Sequence, residues 1–292
     1  MIIKLLELLG TIIQQTFLGI TLGALFALIA IGFNLSFGLA RIINIAHAGF
    51  YALAAYLTFT LVKLIGEFIV SVLISATIVS ILSIPIERYL ISKLYGKHID
   101  LSLVVGFGVL FIVSSLIRYI WGLEPKSISP PPYISGQLFI GRIIIPVYYI
   151  FVTICSAIIF LLIWLVINKT MIGRIVKASI DDLERVCLLG INVYRIFTIN
   201  YIISSFLAGL GGGIVAPLIS IHPAIGPTII LICFSIVVVG GMGSIFGTLF
   251  AGIIVGLTIS YTAILNPSIA EGVAYLLMAV VLIFRPQGIF GK

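Results

Sequence analysis

The stretch VYYIFVTICSAIIFLLIWLVI, residues 147–167, runs without a break into NKTMIGRIVKASIDDLERVCLLGINVYR, residues 168–195. The first part carries no formal charge over a length that suits the hydrocarbon core of a bilayer, which takes about 20 apolar residues. The second part holds Lys169, Arg174, Lys177, Asp181, Asp182, Glu184, Arg185 and Arg195, in a chain with only 16 basic and 9 acidic side chains. Beyond it the sequence is apolar again over 196–220. An apolar span, a short charged connector and a second span describe a membrane bundle with one structured polar excursion.

The composition leaves little room for anything else. The 292 residues are 62% hydrophobic and 9% charged, with a mean hydropathy of +1.35, against roughly 25% charged residues in ordinary soluble chains. In lipid the backbone must satisfy its own polar groups, so the expected fold is all-α, a polytopic helical bundle forming a single integral-membrane domain over 1–292. The net charge of +7 would suggest nucleic acid in a soluble protein, but here it follows from basic residues gathered in cytoplasmic loops. No nucleic-acid partner is expected; the bilayer is. Cys155, Cys187 and Cys233 are odd in number and far apart, and read as small apolar fillers with no metal or disulfide role. The apolar start reads as a retained first span and not as a removed signal.

Apolar runs fall at 11–38, 42–62, 68–86, 101–120, 147–167, 196–220, 228–265 and 270–284. The run 228–265 is too long for one span and is interrupted by Gly240, Gly241, Gly243 and Gly247, so eight or nine crossings with broken or re-entrant helices are expected. Arg88, Lys93, Lys97, the basic residues of 168–195, Arg285 and Lys292 place both basic loops and the C-terminus in the cytoplasm. The segment 122–146 holds five of the 11 prolines. It should form an extended external loop that resists helix formation.

Within the charged connector, Ser179-Ile180-Asp181-Asp182 resembles a capping box. Ile180, Leu183, Val186, Cys187 and Gly190 then share one side at helical spacing, with Asp181, Asp182, Glu184 and Arg185 elsewhere. Gly190 suits the position just past a helix end. The pattern predicts a capped amphipathic helix from Ser179 to Ile191. It could lie on the membrane surface or dock into a groove on a soluble subunit, and its acidic polar face favours docking.

A second constellation is Ile43-Asn44-Ile45-Ala46-His47-Ala48-Gly49. Polar groups at membrane depth are costly unless they meet partners or water. Asn44 and His47, three residues apart, either bind neighbouring helices or line a pathway beside a helix broken near Gly38 and Arg41. Gly49 and the open backbone of Gly240, Gly241 and Gly243 complete the candidate substrate pathway. The pairs Gly19/Gly23, Gly209/Gly213, Gly243/Gly247 and Gly252/Gly256 predict close helix packing. Glu271 is expected at a span end. The glycine cluster lacks the lysine of a phosphate loop, and the sequence contains no nucleotide-binding loop, so no cofactor is expected on this chain and it is not read as an enzyme.

The chain resembles the LivH group of ABC importer permeases. The resemblance runs through Gln14-Gln15, Gly19-Ile20-Thr21-Leu22-Gly23, Ile43-Asn44-Ile45-Ala46-His47 with Tyr51 to Phe59, Ile86-Glu87-Arg88, Gly173-Arg174, Leu188-Leu189-Gly190-Ile191-Asn192, Gly240-Gly241-Met242-Gly243-Ser244 and Phe284-Arg285-Pro286-Gln287-Gly288-Ile289, in the family's order. It implies a multi-pass translocation subunit in a prokaryotic plasma membrane. Its partners would be two cytoplasmic ABC ATPases that bind the ATP, a second LivM-like permease or another copy of itself, and an external substrate-binding protein. ATPase coupling would fall on Gly173, Arg174, Ser179, Asp181, Asp182, Leu183, Glu184, Leu188, Gly190 and Ile191. Family members commonly carry Gly then Glu after the His, where this chain has Ala48 and Gly49. Branched-chain or related hydrophobic amino acids are the implied substrates. Urea or short amides remain the alternative within the family, and a stand-alone channel or secondary carrier the alternative outside it.

Overall fold

The computed structural model describes residues 2–40, 42–95, 98–140, 143–181 and 183–291. Helices α1 (Ile2–Ala40), α2 (Ala46–Ile65), α3 (Phe68–Tyr89) and α4 (Ile99–Trp121) lead to two short strands, β1 (Gln137–Ile140) and β2 (Ile143–Pro146). Helices α5 (Val147–Lys169), α6 (Met171–Asp181), α7 (Leu183–Leu188), α8 (Val193–Val215), α9 (Ile225–Gly240), α10 (Ile245–Leu265) and α11 (Ala270–Phe284) follow. Among the described residues, 8 helices are long and apolar enough to cross a membrane. The over-long apolar run resolves into α9, of 16 residues, and α10. Between them Gly241 and Gly243 take φ of 97° and 86°, a left-handed backbone that side chains disfavour. Ser244 then caps α10 by accepting the Gly247 N–H at 3.0 Å.

Contacts sort the helix ends onto two faces. On one, the backbones of Lys126 and Ile221 pair across 2.8 and 2.7 Å, tying the loop after α4 to the loop after α8. Gln14 near the start of α1 donates to Ile144 O at 3.4 Å, and Trp121 at the end of α4 donates to Thr60 at 2.8 Å. On the other, Asn34 of α1 meets Ser244 at 3.2 Å, beside a cavity that also touches Asn168 and Lys177. With α9 counted, the described residues hold nine helices that run between these faces. Among the described residues, the second face receives Arg88, Lys93, Lys169, Arg174, Lys177, Arg185, Arg195 and Arg285, and the first Lys4, Lys63, Arg118 and Lys126. They are called the basic face and the hairpin face below.

Among its described residues the Pro-rich segment 122–146 is non-helical apart from a short 3-10 turn at Pro132–Ile134, yet it is not simply an extended loop. Its second half folds into the antiparallel pair β1–β2, with Leu138 opposite Ile145 and Ile140 opposite Ile143. The prolines at 130–132 stop helix formation, and the β-branched run Ile143-Ile144-Ile145 behind them favours a strand.

Helices α1, α2, α8 and α9 form the interior, while α5 and α11 run along the outside. Three of the four GxxxG pairs do what small residues do in lipid; Gly243 instead lies in the turn before α10, with nothing within 4 Å of where a Cβ would stand. Gly19 and Gly23 of α1 face Gly252 and Gly256 of α10, and a Cβ on Gly23 would stand 2.7 Å from Ile253 Cα. Gly209 of α8 fits against Ala76 of α3 in the same way, with 2.6 Å to its Cα.

The charged connector departs from the sequence expectation. Helix is described on both sides of Asp182, as α6 and α7, but it begins at Met171 and not at Ser179, and it ends at Leu188. The start lies earlier because Thr170, where α5 ends, accepts the Gly173 N–H at 3.3 Å and caps α6. Ser179 therefore sits inside α6, its hydroxyl donating back to Ile175 O at 2.8 Å, and caps nothing. Gly190 does end α7 with φ of 76°, as its position predicts. Asp182 lies outside the described residues, as do Arg41, Lys97 and Lys292; of Asp181, Leu183 and Glu184 the backbone alone is described, in α6 and α7.

Candidate functional site

A polar seam runs through the interior beside residues 29–36 of α1. Asn44 lies in the turn before α2 and His47 in its first turn; both are buried. They do share a face, and that face meets a matching pair on α8, Tyr201 and Ser204. The Tyr201 hydroxyl donates to Asn44 Oδ1 at 3.3 Å, and Ser204 Oγ lies 3.3 Å from His47 Nδ1. His47 Nε2 is 3.0 Å from Ile29 O. A carbonyl only accepts, so Nε2 carries the proton of this imidazole. Ser204 donates to Gly32 O at 2.6 Å and accepts from Ser36 at 2.9 Å. Asn200 donates to Leu35 O at 2.9 Å. Three carbonyls of α1 are thus held by side chains of α2 and α8. The amide nitrogen of Asn44 has no partner among the described residues.

Asn34 forms a second knot. Its amide donates to Thr248 at 2.7 Å and to Ser244 O, and its oxygen accepts the Gly243 N–H at 2.8 Å. Gly243 lines a cavity of about 380 Å³ on the basic face with Asn34, Trp164, Asn168 and Lys177. Gly240 and Gly241 are instead covered by the chain's own tail, where Ile289 N donates to Val239 O at 2.8 Å and Phe290 N to Gly240 O at 3.2 Å. The six residues expected on the pathway therefore fall into three places. Asn44 and His47 lie in the seam; Gly49 packs against α4 at Leu110 and Val113; the glycines lie at the basic end of α9. Of these, only Gly243 lines the cavity.

The charged connector, where the sequence reading places ATPase coupling, is built around a small apolar core of its own, Val176, Val186, Val193 and Phe197, against which Ile191 and Tyr95 pack. Gly173 is buried where α6 folds back on the end of α5, with no room for a Cβ beside the Ile167 backbone. Arg174 is exposed. Leu188 and Leu189, at the tip of α7, are 86% and 77% exposed. Tyr95 packs on Phe197 with ring centroids 4.5 Å apart and the rings tilted by 57°, and its hydroxyl donates to Glu87 Oε1 at 2.7 Å. Thr198 donates to Glu87 Oε2 at 2.9 Å. Burial and the Glu87 hydrogen bond hold the Tyr95 hydroxyl well above the usual tyrosine range. This Glu87 clasp joins α3, the turn before α4 and α8 at the level of the coupling segment.

Sequence reasoning singled out Asn44 and His47 but not Asn34, Asn200, Tyr201 or Ser204. The signal was present, since Asn34 and Asn200 are intramembrane amides and cost free energy unless paired. Glu87 was marked within a motif without a role. Its burial shows only once Tyr95 and Thr198, on different elements, are seen to meet it.

Residues 15–284 match the family described as the branched-chain amino acid transport system permease component. The permease BraD of the high-affinity branched-chain amino acid transport system of Pseudomonas aeruginosa is 27% identical over 96% of both chains. LivH of Escherichia coli K12 is also 27% identical over 96% of both. A probable LivH of Methanocaldococcus jannaschii is 26% identical over 91% of this chain and 89% of its own. Matched over residues 15–284, nearly its whole length, this chain belongs to the branched-chain amino acid permease family.

Proposed function

We propose that the chain is the membrane permease subunit of an ATP-binding-cassette importer that carries branched-chain or related hydrophobic amino acids. The observation that carries the reading is the pair Leu188–Leu189, held out from the basic face on a segment with its own core. A lone channel has no use for such a surface. In this reading the basic face is cytoplasmic, following the distribution of Lys and Arg. Two ABC ATPases bind and hydrolyse the ATP there, and the two leucines fill a groove on one of them. A substrate-binding protein delivers cargo at the hairpin face. A LivM-like permease or a second copy of this chain completes the pathway.

The route of the force follows from the packing. Closure of the ATPase pair pushes α6 and α7; their core presses on Phe197 and Tyr95; the Glu87 clasp passes the movement to α3 and α8. Helix α8 carries Tyr201 and Ser204, so its displacement acts on Asn44 and His47 at the start of α2. These two residues then exchange partners between outward- and inward-open states, and the unpaired amide of Asn44 is the group with a bond to gain.

Uptake of radiolabelled leucine by the complex reconstituted with its ATPase and binding protein tests this reading. ATP-dependent uptake competed by leucine, isoleucine, valine and phenylalanine is the expected result. Competition by urea alone would move the substrate to short amides, and ATP-independent uptake would sink the importer reading.

A further inference from the structure

A second site lies on the basic face, outside the seam. Arg88 in the last turn of α3 and Arg195 in the first turn of α8 line one cleft of about 550 Å³, together with Ser92, Asn192 and Tyr194. Both arginines are exposed, and among the described residues neither makes an ion pair. Glu87 forms part of the wall, but its two oxygens already accept from Tyr95 and Thr198. The N-terminus of the 23-residue α8 adds its own positive end to the cleft. Two guanidiniums, a hydroxyl, an amide and a helix start suit a phosphoryl group, whose oxygens take bidentate arginine bonds.

The cleft does not stand alone. Its Ile199 also lines an almost wholly apolar groove of about 440 Å³ between α3, α5 and α8, walled by Leu73, Leu162, Ile203 and Phe206. Polar cleft and apolar groove meet at that residue, where the apolar spans begin. A free anion would use only the cleft. An amphiphile with a negative headgroup would use both.

We propose that this paired site binds an anionic phospholipid, with the phosphate on Arg88 and Arg195 and an acyl chain laid along Ile199 into the groove. The assignment needs the membrane fold but not the transport reading, and its test measures binding and not uptake. The occupied headgroup would rest against the outer side of the Glu87 clasp.

The test is native mass spectrometry of the full chain, extracted with its accompanying subunits, and exchange of that complex into discs of phosphatidylglycerol or phosphatidylcholine. The wild type should retain one anionic phospholipid at this site and take none from phosphatidylcholine. At about 1 kcal/mol per basic residue, Arg88→Gln with Arg195→Gln should weaken retention roughly 30-fold. Ile199→Trp, which fills the junction and leaves both charges, should also release the lipid. If the glutamine pair does not assemble, Arg88→Lys with Arg195→Lys serves with Ile199→Trp, because the lysine pair keeps the charge and should keep the lipid. Equal retention in the wild type and the glutamine pair, or equal retention of phosphatidylcholine, overturns the proposal. So does displacement by inorganic phosphate with Ile199→Trp unaffected, which would mark a plain anion site.

Discussion

The Tyr95 hydroxyl donates a 2.7 Å hydrogen bond to the Glu87 carboxylate, which is only 1% exposed. Thr198 holds the other oxygen, so one carboxylate joins three elements that the chain brings together from 111 residues apart. Tyr95→Phe removes one donor to a charged group, a loss of about 1.5–3 kcal/mol. In the reconstituted complex it should lower uptake while ATP hydrolysis continues, since the ATPases themselves are untouched. Hydrolysis and uptake falling together, in proportion to the amount of assembled complex, would reduce the clasp to a stabilising contact.

The same hydroxyl gives a pH dependence. Its folded pKa lies above the unfolded value of about 10. The clasp's contribution is therefore complete below about pH 10 and is lost as the pH rises past that point, where the unfolded chain sheds the proton and the fold must keep it. Melting curves between about pH 8 and pH 11 should fall more steeply for the wild type than for Tyr95→Phe. Parallel curves would contradict this.

His47→Leu leaves Ile29 O without its side-chain donor and Ser204 facing a methyl group. A buried group stripped of its partner costs about 1–3 kcal/mol, so the detergent melting temperature should drop. Loss of uptake with unchanged melting would instead assign His47 to direct contact with cargo. Unchanged uptake and unchanged melting would remove the seam from both roles.

Gly23→Leu should block assembly of α1 on α10, because even a Cβ there meets backbone at 2.7 Å. Overpacking of this kind costs typically 1–3 kcal/mol and sometimes more. Gly272→Ala, where nothing lies within 4 Å, is the matched control and should be silent in the same expression and size-exclusion assay.

Leu188→Glu with Leu189→Glu alters no internal contact of consequence, since both side chains point out of the fold. The pair should leave melting unchanged and weaken ATPase co-purification by roughly 30-fold or more, the scale of a lost interface hot spot of about 2 kcal/mol. An undiminished ATPase yield would place the docking surface elsewhere.

Much of this architecture is legible in one sequence because lipid imposes a simple rule: a span must be apolar and about 20 residues long. The runs at 68–86, 101–120 and 147–167 became α3, α4 and α5 for that reason alone. The glycine pairs Gly19/Gly23, Gly209/Gly213 and Gly252/Gly256 were equally readable, since close approach is what small residues permit, whereas Gly243 serves a turn. The connector was read less well. Ser179 and Asp182 carry a capping signature, but Thr170 caps first, and a local motif cannot reveal that a better start lies upstream. Partners distant in sequence were invisible altogether. Asn44 meeting Tyr201, or Glu87 meeting Thr198, depends on how α8 is laid across α2 and α3, which no spacing along the chain encodes.

Helix α9 rises about 24 Å over its 16 residues, short of a hydrocarbon core of about 30 Å. Its terminal carbonyls at Val239 and Gly240 find their donors in Ile289 and Phe290. During synthesis, then, α9 reaches the bilayer with an open end and waits for some 50 further residues to emerge before that end is closed, at the 5–20 residues per second typical of translation. An early stop just after α11 would leave every described crossing in place and still strip two carbonyls at the basic end of α9 of their donors. The tail from Arg285 onward is thereby the latch that finishes insertion, and a chain lacking it should be handed to quality control although none of its spans is missing.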